Sequence, residues 1–238
     1  MLQLIDIVKK YKTGDTEVVA LKGVSLSFRN SEFVSILGPS GCGKTTLLNI
    51  MCGLAKADEG IMDGFCNKNF SYIFQEPRLL PWKNVRDNID FVLSRDISSS
   101  ERRYIVDNYL KLVELEEFAD YYPSQLSGGM SQRVSLARAF ASPSQIILMD
   151  EPLSGLDISL KHNLIQRFIN IWRNDKRSVI YVTHDIDEAL MLCDEIFVLS
   201  KSPVKVLMKE NIDIAHEERD YLLLQEYKAK CLRAMSMI

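Results

Sequence analysis

The chain has 238 residues, of which 47% are hydrophobic and 26% charged. That composition excludes disordered and fibrous classes and is enough for one sizeable α/β domain that needs no disulfide or metal staple. With 29 basic side chains against 32 acidic ones the net charge is −3, which offers no strong field for nucleic acid or anionic lipid, so no nucleic-acid partner is expected.

In chain order, Leu2 to Val8 and Val24 to Phe28 alternate apolar and polar residues as antiparallel strands do, with Tyr11 in the connection between them. Asp6 falls where the apolar run of a secretory signal would lie, so no leader is expected. Five scattered cysteines, Cys42, Cys52, Cys66, Cys193 and Cys231, form no C-x-x-C pair and point to reduced intracellular thiols. Phe33 to Leu37 reads as a short buried strand and Leu47 to Met51 as the continuation of a helix. Asp58-Glu59-Gly60 and Asp63-Gly64 are turn signals, and Phe70 to Phe74 is a strand ending at Gln75.

From Glu76 to about Ala141 the pattern is helical. Ser98 and Glu101 form a capping box, and Ile105, Val106, Tyr109, Leu110 and Val113 fall on one face. Ile146 to Met149 is a continuous apolar run, as a central parallel strand requires. A helix with Leu160, Leu164, Ile165, Phe168 and Trp172 inward follows, then strands at Val179 to Val182 and Ile196 to Leu199 around a helix at Asp187 to Leu192. This alternation predicts a parallel, helix-flanked sheet. His216 to Arg233 reads as a charged amphipathic helix, a surface or docking element.

Between the Phe33 strand and the helix after it lies Gly38-Pro39-Ser40-Gly41-Cys42-Gly43-Lys44-Thr45-Thr46, a phosphate-loop pattern at a strand-to-helix turn. Unpaired N–H groups at the helix start point at phosphate oxygens, and the glycines let the backbone wrap closely. Lys44 would reach the β- and γ-phosphates, and the Thr45 hydroxyl would ligate Mg²⁺. Cys42 inside the loop is a thiol whose alkylation would block nucleotide, or simply a small tolerated residue. Asp150 and Glu151 end the apolar strand where ligands of open α/β sheets bind. Asp150 would hold the metal through water and Glu151 would polarise the attacking water; a plain acidic strand end is the competing reading. Ser127-Gly128-Gly129 opens a second helix and makes a second anion site, with Ser127 as cap. One nucleotide is already covered on one side by the first loop. The second site therefore most usefully covers the γ-phosphate held by another copy, in a head-to-tail two-fold dimer, unless it is an ordinary capped glycine turn.

Together with Leu126-Ser127-Gly128-Gly129-Met130, these motifs make the sequence resemble, over about residues 2 to 208, the ATP-binding cassette ATPases, the nucleotide-binding subunits of ABC transporters. The resemblance makes Gly38 to Thr45 the Walker A loop, Gln75 the Q-loop glutamine that reaches Mg²⁺ or water, Leu126 to Met130 the signature motif and Asp150-Glu151 the end of Walker B. Ser154 to Asp157 resembles the D-loop, His184 the switch histidine at the γ-phosphate, and Tyr11 the aromatic residue stacked on adenine. The implied fold class is α/β: a P-loop NTPase core with an antiparallel β subdomain and an inserted helical subdomain. Its expected division is 1–75 and 142–210 for the core, 76–141 for the helices and 211–238 for a C-terminal helical tail.

Phe74 to Trp82 and Thr183 to Ala189 are similar to the branch that imports nitrate, sulfonates, taurine or thiamine precursors, in which Leu79, Leu80 and Trp82 would line a groove for a permease helix or pack in a core. The implied protein is an importer ATPase using ATP and Mg²⁺, cytoplasmic and peripheral on the inner face of the membrane. Its partners would be a second copy, permease subunits and, indirectly, an extracytoplasmic solute-binding protein. An efflux ATPase and a soluble ABC ATPase without transport are the alternatives. A GTPase is disfavoured because Asn67-Lys68 is not followed by the aspartate of a base-reading motif. Met130 stands where the family usually has glutamine and would remove a polar contact to nucleotide, and the stretch 58–69 is short for the branch.

Overall fold

Leu2, Leu4 and Ile7 are buried while Ile5 and Asp6 face solvent, so the inward phase of the first strand slips by one residue between Leu4 and Ile7. A side-chain period of two allows that only at a bulge. In the computed structural model, which describes residues 1–14, 16–175 and 177–236, strand β1 (Leu2–Thr13) does shift register there, with Asp6 at φ 51°. β1 pairs antiparallel with β2 (Thr16–Phe28) on one side and β4 (Glu59–Asp63) on the other. Tyr11 therefore lies within β1, opposite Val18, and not in a connection. Glu59 and Gly60, expected in a turn, are strand residues. Gly60 is at φ 100°, and a Cβ there would come within 2.6 Å of the Asp6 carbonyl oxygen, so the bulge demands glycine opposite it.

Two compact units divide the chain, Met1–Lys68 with Lys176–Ile238, and Asn69–Asp175. The first adds to the antiparallel sheet a set of strands in the order β7 (Ser178–Thr183), β3 (Phe33–Leu37), β8 (Glu195–Leu199) and β9 (Val206–Asn211). β3 is parallel to both neighbours and β9 antiparallel to β8. Every residue of β3, β7 and β8 is buried, which is why apolar residues dominate them, with Ser35, Ser178, Thr183 and Glu195 as buried polar exceptions. Helix α1 (Lys44–Met51) follows β3, α6 (Ile186–Leu192) packs on β3 and β7, and α7 (Gln225–Ser236) packs on β8, β9 and α6.

The second unit pairs β5 (Phe70–Ile73) parallel with β6 (Ile146–Asp150) and carries α2 (Val85–Asp90), α3 (Ser99–Leu112), α4 (Gly128–Ala141) and α5 (Ile158–Asp175). Val106, Leu110 and Val113 join Val85, Ile89, Val134 and Ala137 in one apolar cluster, so the expected face of α3 is its inward face. Ser98 Oγ accepts the Glu101 N–H at 3.3 Å, the cap that sets where α3 begins and contributes about 1 kcal/mol. On α5, Leu164, Ile165, Phe168, Ile169 and Trp172 are buried and Leu160 is partly so.

Candidate functional site

In the first unit the phosphate loop is built by β3 ending at Leu37 and α1 starting at Lys44. Gly41 and Gly43 take φ of 76° and 114°, conformations that side chains resist, while Gly38 sits where a Cβ would lie 3.3 Å from Leu199. Gly43 caps α1 through its backbone, its carbonyl accepting the Leu47 N–H at 3.0 Å. Lys44 is 5% exposed and donates to the carbonyls of Gly38 (2.8 Å) and Pro39 (3.0 Å), so its ammonium crosses the mouth of the loop it would share with phosphate. Cys42 is buried, and burial raises its thiol above the ordinary range, which makes it an inert loop residue and not an alkylation handle.

Two other predicted residues lie on elements that border this loop. The parallel register sets Leu37 beside Thr183, and the Gly38 N–H donates to the Thr183 carbonyl at 3.4 Å, so His184 leaves β7 at the same end as the loop, exposed. A Cβ on Gly43 would meet Leu21 at 3.0 Å and the Ala20 carbonyl at 3.4 Å. Val18, two residues before Ala20, pairs with Tyr11, whose half-exposed ring lies under the Lys9 ammonium at 5.5 Å. The hairpin bearing Tyr11 thus abuts the end of the loop. Gly43→Ala combines a strained φ with this crowding and is expected to destabilise the protein by about 1–3 kcal/mol, read as a lowered denaturant midpoint.

In the second unit Ile73 pairs with Met149, so Gln75 and the Asp150-Glu151 pair emerge from the same end of adjacent strands. Gln75 is exposed and Asp150 is 4% exposed. Glu151 has φ 47°, a strained conformation for a residue with a Cβ, which turns its side chain away from the direction an extended strand would give. Ser127 Oγ caps α4 by accepting the Met130 N–H at 3.2 Å. Gly128 is exposed, and a Cβ on Gly129 would touch Leu156 at 3.1 Å, which ties the second glycine site to the loop bearing Asp157. Asp157 itself caps α5: its Oδ1 accepts from the Leu160 N–H at 2.9 Å and the Ser159 hydroxyl at 2.7 Å, and these donors, the Leu160 N–H foremost, lower its carboxyl pKa. The Met130 side chain packs against the apolar cluster of the helices, so its thioether serves the core.

The Phe74–Trp82 stretch splits its apolar residues. Leu79 packs on the helical cluster, whereas Trp82 is 72% exposed. Two residues that sequence reasoning passed over hold this segment. Asn88, fully buried, accepts the Leu80 N–H at 2.9 Å and donates to the carbonyls of Leu80, Lys83 and Asn84. Arg138 on α4 donates to the Arg78 carbonyl at 2.7 Å. The signal was an amide three positions after Val85 and next to Ile89, a polar group on an apolar helix face.

The family model described as ABC transporter matches residues 21–154. An uncharacterised ABC transporter ATP-binding protein of Methanocaldococcus jannaschii is 38% identical over 98% of this chain and 91% of its own length. The nitrate import ATP-binding protein NrtD of Synechococcus elongatus is 38% identical over 84% of this chain and 76% of its own. An aliphatic sulfonates import ATP-binding protein, SsuB of Bacillus cereus, is 40% identical over 85% and 82%. Among solved structures, the ATP-binding cassette MJ0796 in a dimeric post-hydrolysis state with ADP and phosphate superposes with a TM-score of 0.79 at 35% identity, over 90% of this chain and 100% of that one. The chain belongs to the ABC transporter family and has the ABC ATPase cassette fold. It is an ATP-binding, ATP-hydrolysing subunit.

Proposed function

We propose that this chain powers uptake of a small solute, of the nitrate or sulfonate kind, through a membrane permease. The observation that carries the reading is 38–40% identity, over most of both chains, to proteins named for nitrate and sulfonate import. Exposed Trp82, on a segment anchored by Asn88 and Arg138, supports a docking role for the Gln75–Trp82 loop, because burying an indole against a permease helix supplies affinity. Among the described residues no helix is long and apolar enough to cross a membrane.

In this reading Gly38 to Thr46 binds the ATP phosphates through backbone N–H groups, Lys44 releases its carbonyls for phosphate oxygens, and Tyr11 stacks on adenine. Glu151 accepts a proton from the attacking water, while His184 and Gln75 hold that water and the γ-phosphate. Mg²⁺, when bound, would neutralise developing phosphate charge; Thr45, Gln75 and Asp150 fit it as hard oxygen donors. Ser127, Gly128 and Gly129 bind the γ-phosphate of a second copy's ATP, so the working unit is the head-to-tail dimer. The dimeric state of the MJ0796 cassette supports this. ATP closes the pair, hydrolysis opens it, and the Gln75 loop carries the change to the permease. Residues 1–75 and 142–210 act as the core, 76–141 as the helical subdomain and 211–238 as a C-terminal tail.

Affinity capture of the tagged chain from solubilised membranes of its native cells tests the transporter assignment. A stoichiometric multi-span partner, lost in Trp82→Glu, is expected. Recovery with no multi-span protein overturns it.

A further inference from the structure

α6 has two ends, and both are held by the C-terminal segment. A helix leaves its last carbonyls without intrahelical donors, and a short helix has few internal bonds to fix its place. Here Arg219 Nη1 donates to the carbonyls of Leu190 (3.1 Å), Met191 (3.3 Å) and Cys193 (2.9 Å), and His216 Nε2 lies 2.9 Å from that of Leu192. Two side chains thus cover four consecutive carbonyls. Arg219 is 7% exposed, its Nε donates to the Ile214 carbonyl at 3.0 Å, and Asp194 Oδ1 lies 3.7 Å from its Nη2. A guanidinium at this end also matches the negative pole of the helix. At the other end Lys228, on α7, donates to both carboxylate oxygens of Asp187 at 2.6 and 2.7 Å.

What α6 carries at its start is His184. The next residue, Asp185, is the N-cap, accepting the N–H groups of Asp187 (2.9 Å) and Glu188 (3.3 Å). The preceding one, Thr183, accepts the Asp185 N–H at 3.0 Å and donates to buried Glu188, which also receives the Tyr181 hydroxyl at 2.7 Å. Both neighbours of His184 are therefore fixed to the first turn of α6, and any slide or tilt of that helix moves the imidazole.

We propose that the 212–236 segment is a brace that sets the position of His184 through α6, with Arg219 and Lys228 as positioning residues for ATP hydrolysis. This rests on the reading of His184 as the group at the γ-phosphate. A misplacement of about 1 Å at a reacting centre costs about a hundredfold in rate, so a helix clamp remote from the nucleotide has leverage on kcat.

The test uses the full chain and its three histidines, His162, His184 and His216, labelled for imidazole NMR. Lys228→Met removes a half-exposed ion pair and leaves the buried network intact, so it folds; it is expected to lower kcat about threefold with KM for ATP unchanged. It should shift the His184 resonance and leave that of His162, on α5, in place, and Lys228→Arg should restore both. Arg219→Met is expected to lower kcat at least about tenfold, and Arg219→Lys, lacking the fork, should not restore it. In a His184→Ala background neither change should cost anything further. An unmoved His184 resonance in Lys228→Met, or an equal loss of kcat with and without His184, overturns the brace. If instead His184→Ala alone hydrolyses ATP at the original rate, the assignment of His184 fails, whatever Arg219 and Lys228 do.

Discussion

Glu151→Gln is expected to bind ATP as before and to hydrolyse it at least about a hundredfold more slowly, since a positioned base contributes about 10²–10⁴-fold. The substitution preserves size and the ability to hold water by hydrogen bonds but removes the negative charge that draws off its proton. In the proposed reading, the backbone supports Glu151 over its neighbour as the base. Asp150 is the last residue of a wholly buried strand, whereas Glu151 is turned by its φ of 47° and is more accessible. The strain of that turn, about 1–3 kcal/mol, is tolerable only where the surrounding structure enforces it. Single-turnover hydrolysis alongside equilibrium nucleotide binding separates the two effects; undiminished turnover would remove Glu151 from the base position.

The second large effect is recovery of activity by mixing two dead chains. Lys44→Ala loses the ammonium that replaces its hold on the Gly38 and Pro39 carbonyls with a hold on phosphate. Ser127→Arg puts a long side chain in the exposed mouth of the second anion site and costs the α4 cap about 1 kcal/mol, which the apolar cluster beneath α4 can absorb. In a head-to-tail pair a mixed dimer holds one site with both features intact and one with neither. An equal mixture makes about half its dimers mixed, so about a quarter of the unmodified ATPase rate is expected while each chain alone is inactive. A rate no higher than the mean of the two separate chains would contradict the arrangement.

What was legible in the sequence is what local chemistry decides. The glycine loop between a buried strand and a helix, the cap at Ser127 and the wholly buried runs of β3 and β6 each follow from a few adjacent residues. β4 escaped because all five of its residues are exposed and carry no period. β9 escaped as an antiparallel edge strand with only half-buried alternate residues. The turn at Glu151 and the extension of β1 through Tyr11 are set by neighbours distant in the chain. So is Arg219, whose contacts with the end of α6 span 26 to 29 residues of sequence. The packing of the Met130 side chain on the helical cluster is likewise set by the arrangement of the helices and not by its neighbours in sequence.

In the proposed dimer each chain supplies half of a nucleotide site. The mass of Glu151→Gln in solution, measured by light scattering with and without saturating ATP and Mg²⁺, tests it most directly. A mass of 27.2 kDa is expected without nucleotide and about twice that with it, with one ATP retained per chain. A mass of 27.2 kDa with ATP demonstrably bound would contradict it.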